Sequence, residues 1–261
     1  MNYTNHNTNN QAENKIENQM RTLLFWNVDT QYDFMRSDES FNGALPVAGA
    51  RAIENNLEKL TSIAKDYNIK VINTADWHTL DDAEINDSNP DYKKTYPQHC
   101  MACTIGAQYV PAANPEQPYI IPSLDTGDFD EAKVLSNRNI VLHKSRFDAF
   151  VGNEHTDWVI NLLRPKTVFV YGVATNVCVN YAVRGLLERK CDVYVVTDAI
   201  KELPEEISET PLETVIDSWK DIAVKYNQNV NFVKTEDVTR LVRKQEYKIL
   251  LDWLKNEKAQ I

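Results

Sequence analysis

Cysteine is scarce, with four residues in a chain of 261. That number does not make a disulfide framework in a chain of this size, so a small disulfide-stapled scaffold is excluded and a reducing compartment is expected. Positive charge is in deficit, with 28 Lys and Arg against 38 Asp and Glu and a net charge of -10. No basic cluster offsets that balance, which argues against a nucleic-acid partner. No apolar run approaches membrane-spanning length, so no membrane partner is expected. Residues 1–20 lack the apolar core of a secretory signal; they are rich in Asn and Gln and read as a disordered tail. Internal repeats and interdomain linkers are also missing, which leaves 21–261 as one expected domain. The location that fits these absences is cytoplasmic.

What the chain does hold is an ordinary globular composition, 43% apolar and 25% charged, and enough length to bury a sizeable core. Thr22 to Val28 is nearly continuous in apolar residues, as in a strand buried on both faces. Similar short runs recur at Ile69–Ile72, Asn139–His143, Val168–Tyr171, Asp192–Thr197 and Val230–Val233. Between them lie segments with helical periodicity. Pro46–Tyr67 carries Ile53, Leu57, Leu60 and Ala64, and a second helix is expected from about His155 to Leu163. Val179, Val183, Leu186 and Leu187 mark another helix, as do Leu212, Val215, Ile216, Trp219, Ile222 and Ala223. A last helix carries Val238, Val242, Ile249, Leu250, Trp253 and Leu254. Strands alternating with amphipathic helices predict an α/β fold, a doubly wound, six-stranded, mainly parallel sheet with helices on both faces. The proline-rich stretch from Pro111 to Pro122 is expected to be an irregular excursion.

Three chemically complementary residues follow predicted strands. Asp29 runs directly out of the first, Lys144 follows the third, and Cys178 falls in the first turn of the helix after the fourth, behind Thr175 and Asn176, which favour helix caps. In a parallel sheet these carboxyl ends share one edge, where such folds bind ligands. An ammonium and a helix amino terminus are expected to lower the thiol pKa. A carboxylate beside the thiol can take its proton and later protonate a leaving amine. A second cluster is Asp76, His78 and His99, with Glu84 as the most plausible fourth ligand and Asp81, Asp82 and Asp87 as rivals. Imidazoles with carboxylate suit one divalent ion, zinc first and iron or manganese as alternatives. Cys100 and Cys103 form a lone Cys-x-x-Cys with no second pair to complete a zinc site, which leaves a redox pair as a minor reading.

Taken together, the stretches Val28 to Phe34, Asp76 to His78, Pro97 to Cys100, Lys144, and Gly172 to Cys178 resemble the isochorismatase-like cysteine hydrolases, and within them the nicotinamidases. The resemblance runs from Leu23 to about Val233. It implies a triad of Asp29, Lys144 and Cys178, a cis peptide between Val173 and Ala174, and an oxyanion hole made by the N–H groups of Ala174 and Cys178. It also implies that Asp76, His78 and His99 hold a divalent metal, with a glutamate as a further ligand in some relatives, here Glu84. Phe34, Tyr96 and Val173 would line the substrate pocket. The chain departs from the pattern at Tyr96, where relatives often carry Trp, and at Cys103, where they carry Gly. The implied reaction is hydrolysis of nicotinamide, with a small-molecule amide as the partner and self-association left open. Sibling enzymes acting on carbamoyl, maleamate or ureidoacrylate-type amides are the alternative, and a non-catalytic binding protein of the same fold is the third.

Overall fold

A computed structural model describes residues 23–123, 129–208 and 210–244. The tail expected over 1–20 and the second half of the last expected helix lie outside them.

Seven strands form the main sheet: β1 (Leu23–Val28), β2 (Lys70–Asp76), β3 (Tyr119–Ile121), β4 (Asn139–Lys144), β5 (Thr167–Val173), β6 (Asp192–Lys201) and β7 (Val230–Val233). Their order is β3-β4-β2-β1-β5-β6-β7, and every adjacent pair is parallel. Alternation along β1 explains why so apolar a strand sits at the centre. Leu23 and Phe25 enter one core, whereas Leu24, Trp26 and Val28 enter the other. The first core is closed by α1 (Glu54–Asp66) through Leu57, Leu60, Ile63 and Ala64, and by the helical residues 235–244 through Val238 and Val242. The second core is closed by α2 (Thr156–Leu163), α3 (Cys178–Glu188) and α4 (Leu212–Tyr226), whose Trp219 is fully buried. Helices therefore cover both faces, and the sheet is doubly wound.

The strand count corrects the expected six. The additional strand, β3, lies inside the proline-rich stretch, between Pro118 and Pro122, and pairs with β4 at the sheet's edge. Proline cannot donate to a ladder, so the flanking prolines hid a strand that an edge position tolerates. The expected helix from Pro46 begins later, with a 3-10 turn at Ala50–Ile53 leading into α1.

The chain leaves β1 toward β2 on one side and later returns to β5 on the other. The strand order reverses between β1 and its neighbours, and a crevice opens there at the carboxyl ends. Gly172 lets β5 close against β1 at that point. Its φ is +119°, and a Cβ on it would lie 2.0 Å from the carbonyl oxygen of Val28. Gly172→Ala should therefore lower stability by about 2 kcal/mol or more, from backbone strain plus overlap. Urea unfolding would check this, and an unchanged midpoint would show that the two strands can part at no cost.

Candidate active site

The carboxyl ends of β1, β4 and β5 bring the three chemically complementary residues together. Asp29 follows β1 directly, with a left-handed φ of +47° that turns the chain across the sheet edge. Lys144 is the last residue of β4, and Cys178 is the first of α3. The Lys144 Nζ lies 2.9 Å from Asp29 Oδ2 and 3.7 Å from Cys178 Sγ, and it also donates to Asp76 Oδ1. Asp29 Oδ1 accepts from Thr74 Oγ1 at 2.6 Å, which leaves its other oxygen for the ammonium. Asp29 and Lys144 are at most 1% exposed. Burial works against the Lys144 charge, but Asp29 and Asp76 outweigh it and hold the ammonium well above its ordinary pKa.

Two local expectations are corrected. Neither Thr175 nor Asn176 caps α3: the cap position is Val177, which has no side-chain bond to give. Asn176 instead donates to the Leu203 carbonyl and accepts from its N–H, tying a later loop to the nucleophile turn. Among the first amides of α3, Val179 N donates to the Ala174 carbonyl at 3.1 Å, whereas Cys178 N has no acceptor among the described residues. The thiol pKa is also held up, not down. Burial pushes Cys178 well above the usual range, and the Lys144 charge offsets this only in part against Asp29 and Asp76. Burial likewise raises Asp29, against the pull of Lys144. The resting pair is a neutral thiol beside a carboxylate with raised proton affinity, an arrangement suited to proton transfer on demand.

The second cluster adjoins the first. Donor atoms of Asp76, His78 and His99 lie within 4.8 Å of one another, and all three side chains are buried. The Nε2 atoms of His78 and His99 are 3.8 and 3.7 Å from Asp76 Oδ2, too far to hydrogen-bond. Each ring is oriented through its other nitrogen: His78 Nδ1 is 3.2 Å from Asp82 Oδ2, and His99 Nδ1 is 2.8 Å from the Pro97 carbonyl. His78 Nε2 is buried with no hydrogen-bond partner. Oriented imidazoles with a free nitrogen aimed at a carboxylate are the donor set of a transition-metal site, with protein ligands about 2 Å from the ion. The residues fit a divalent metal. Glu84 is not among the three whose donor atoms converge. Its Oε1 accepts from Phe147 N at 3.0 Å while Oε2 is buried without a partner, and burial, with the nearby Asp76 charge, pushes its pKa up to about 7.

A cleft of about 370 Å³ opens over both clusters. Phe34, Tyr96 and Val173 line it, together with Leu45, Val47, Phe147, Val177 and Leu203. The peptide between Val173 and Ala174 is cis.

The Isochorismatase domain family matches residues 22–221. The chain belongs to this family. It is 27% identical over 202 residues to the nicotinamidase/pyrazinamidase of Mycobacterium tuberculosis, covering 74% of this chain and 93% of that protein. Among solved structures it is similar to the pyrazinamidase of Pyrococcus horikoshii in complex with zinc, at 20% identity and a TM-score of 0.58, over 82% of this chain and 99% of that one. It is likewise similar to the N-carbamoylsarcosine amidase of Thermoplasma acidophilum, at 19% identity and a TM-score of 0.56, over 82% and 96%. The isochorismatase fold is thus shared with proteins named for different amides.

Within this isochorismatase domain, sequence reasoning missed Leu45, Val47, Phe147, Val177 and Leu203 as pocket walls. Only the Phe-x-x-Phe stretch at Phe147 hinted at one of them. The Cys-x-x-Cys pair splits: Cys100 is buried, Cys103 is exposed, and both are free. The strongest dependence is on Lys144. In Lys144→Met the carboxylates of Asp29 and Asp76 would stay buried without their cation, a loss of about 3–5 kcal/mol. Equilibrium unfolding in urea would measure it; a midpoint equal to that of the unaltered protein would contradict the ion-pair network.

Proposed function

We propose that this protein is a cysteine amidohydrolase that converts nicotinamide to nicotinate and ammonia, acting in the cytoplasm. One observation carries the reading. Asp76 belongs at once to the group with Asp29 and Cys178 and to the group with His78 and His99. Nucleophile and metal-type donors therefore open into a single cleft walled by Phe34, Tyr96 and Phe147. A divalent ion held by Asp76, His78 and His99 would supply a Lewis-acid anchor for the pyridine nitrogen. Glu84 is the further ligand in this reading, through its free buried oxygen.

The protein's own residues supply the proton and charge management. Asp29 takes the Cys178 proton as Sγ bonds to the carboxamide carbon. Charge growing on the carbonyl oxygen meets the N–H groups of Ala174 and Cys178, neither of which has an acceptor among the described residues. Asp29 then gives the proton to the amide nitrogen, the C–N bond breaks, ammonia leaves, and a thioester remains on Cys178. In the second half Asp29 deprotonates a water that attacks the thioester carbon. The acid is released, and the proton returns to the sulfur. Lys144 remains an ammonium throughout, because two carboxylates face it.

The chemistry of the cleft also separates this reading from its sibling. Carbamoyl, maleamate and ureidoacrylate-type substrates carry a carboxylate that needs a cationic partner. No Arg or Lys lines the cleft among the described residues, and its walls are apolar. A neutral aromatic amide fits this lining better.

Purified protein should release ammonia from nicotinamide and pyrazinamide, and Cys178→Ala should abolish it. Benzamide, without the ring nitrogen, should react roughly a hundredfold more slowly, equivalent to about 2.7 kcal/mol of positioning. Chelation of the metal should erase the difference. Equal rates on benzamide and nicotinamide, or turnover only of an acidic carbamoyl amide, would transfer the protein to the sibling reading.

A further inference from the structure

Two side chains of the metal-type cluster, His78 and His99, hang on a long loop, residues 77–106, between Asp76 at the end of β2 and the strap at 107–110. Loops of this length close at an entropic cost and hold geometry only where something fastens them. The fastening is one short stretch behind β1, in which every second residue acts. Gln31 is fully buried, and its amide bonds both the N–H and the carbonyl of Asp76. Nε2 donates to the Asp76 carbonyl at 2.7 Å, and Oε1 accepts from the Asp76 N–H at 2.8 Å. The same Nε2 donates to the Ala107 carbonyl at 2.9 Å, so the two ends of the loop are stapled through one nitrogen. Asp33 Oδ2 accepts from Cys100 N at 2.7 Å, the amide that directly follows His99, and its Oδ1 accepts from Ala44 N at 3.0 Å. Backbone bonds between the same segments complete the seam: Tyr32 N to Gln108 O at 2.8 Å, Asp33 N to Gly106 O at 3.0 Å, and Val110 N to Thr30 O at 2.9 Å.

The chemistry of each position is specific. Gln31 must both donate and accept, which a carboxylate cannot do. Asp33 must accept from two N–H groups on two oxygens, which a side-chain amide cannot do. Gly106 must lack a side chain, since a Cβ there would lie 2.1 Å from Asp33 Oδ2. Among the described residues, neither Gln31 nor Asp33 hydrogen-bonds the thiol, the ammonium or an imidazole.

We propose that Gln31 and Asp33 are positioning residues that set the affinity of Asp76, His78 and His99 for a divalent ion, Gln31 by fixing the backbone of Asp76 and Asp33 by fixing the amide after His99. The inference rests on the metal role proposed for those three side chains. Orientation of ligands by their supporting hydrogen bonds is worth about tenfold to a hundredfold in metal affinity.

The test is titration of the metal-free full-length protein with cobalt(II), read by its visible absorption and by competition with a chelator. Asp33→Asn, which can accept only one of the two amides, should weaken cobalt binding about tenfold, and Asp33→Ala up to about a hundredfold. Gln31→Glu, which keeps the acceptor for Asp76 N and loses both donated bonds, should weaken it about tenfold. Gly106→Ala alters neither Gln31 nor Asp33 but displaces the Asp33 carboxylate, and should act in the same direction if an Asp33 variant fails to fold. Alkylation of Cys178 by iodoacetamide in metal-free Asp33→Asn should keep the rate of the unaltered protein, which a general loosening of the fold would not allow. Folded variants that bind cobalt with unaltered affinity would overturn the positioning role alone. An unaltered protein that binds no cobalt would overturn the metal reading and this inference with it.

Discussion

One buried ammonium joins the two halves of the site. Lys144 lies among Asp29, Asp76 and Cys178 with almost no access to water. Burial is the main reason the thiol holds its proton at rest, and the Asp29 and Asp76 charges work with it against the pull of Lys144. The same cation keeps Asp76 ionised. Burial alone would raise that carboxyl, but Lys144, with the His78 and His99 rings close by, holds it well below the usual range. Asp76 thus faces the ammonium with one oxygen and the two imidazoles with the other. Without Lys144 the buried carboxylates would repel each other, and neither cluster would keep its shape.

The sheet supplies the convergence that this network needs. β1 and β2 are neighbours, β4 flanks β2, and β5 flanks β1, so Asp29, Asp76, Lys144 and the turn before Cys178 end on one edge. Asp76 and Lys144 are direct partners across the β2–β4 ladder. That register places their side chains on the same face, since each strand alternates its residues. Gly172 lets β5 close against β1, which carries the turn before Cys178 to the same edge.

Much of this was legible in the chain. Asp29, Lys144 and Cys178 each follow an apolar run of strand length, and strand ends of a parallel sheet share an edge, so types and places could be read together. Asp76 and His78 were legible for the same reason. What escaped depends on contacts distant in sequence. β3 was hidden because prolines bracket it, and Leu45, Val47 and Leu203 become pocket walls only when two loops distant in sequence meet. The direction of the thiol pKa escaped because burial and a second carboxylate outweigh the expected pull of the cation and the helix amino terminus. Gln31 and Asp33 stood in the same short motif as Asp29, but their hydrogen-bond partners lie across the long loop.

The central claim is that Cys178 alone, among the four cysteines, is the nucleophile of an acyl transfer. Acid quenching of the protein during turnover of nicotinamide, followed by peptide mass spectrometry, tests it most directly. The account predicts a nicotinoyl group on the peptide containing Cys178 and on no other. Turnover with the group on Cys100, Cys103 or Cys191, or turnover with no acylated peptide at any quench time, would contradict it.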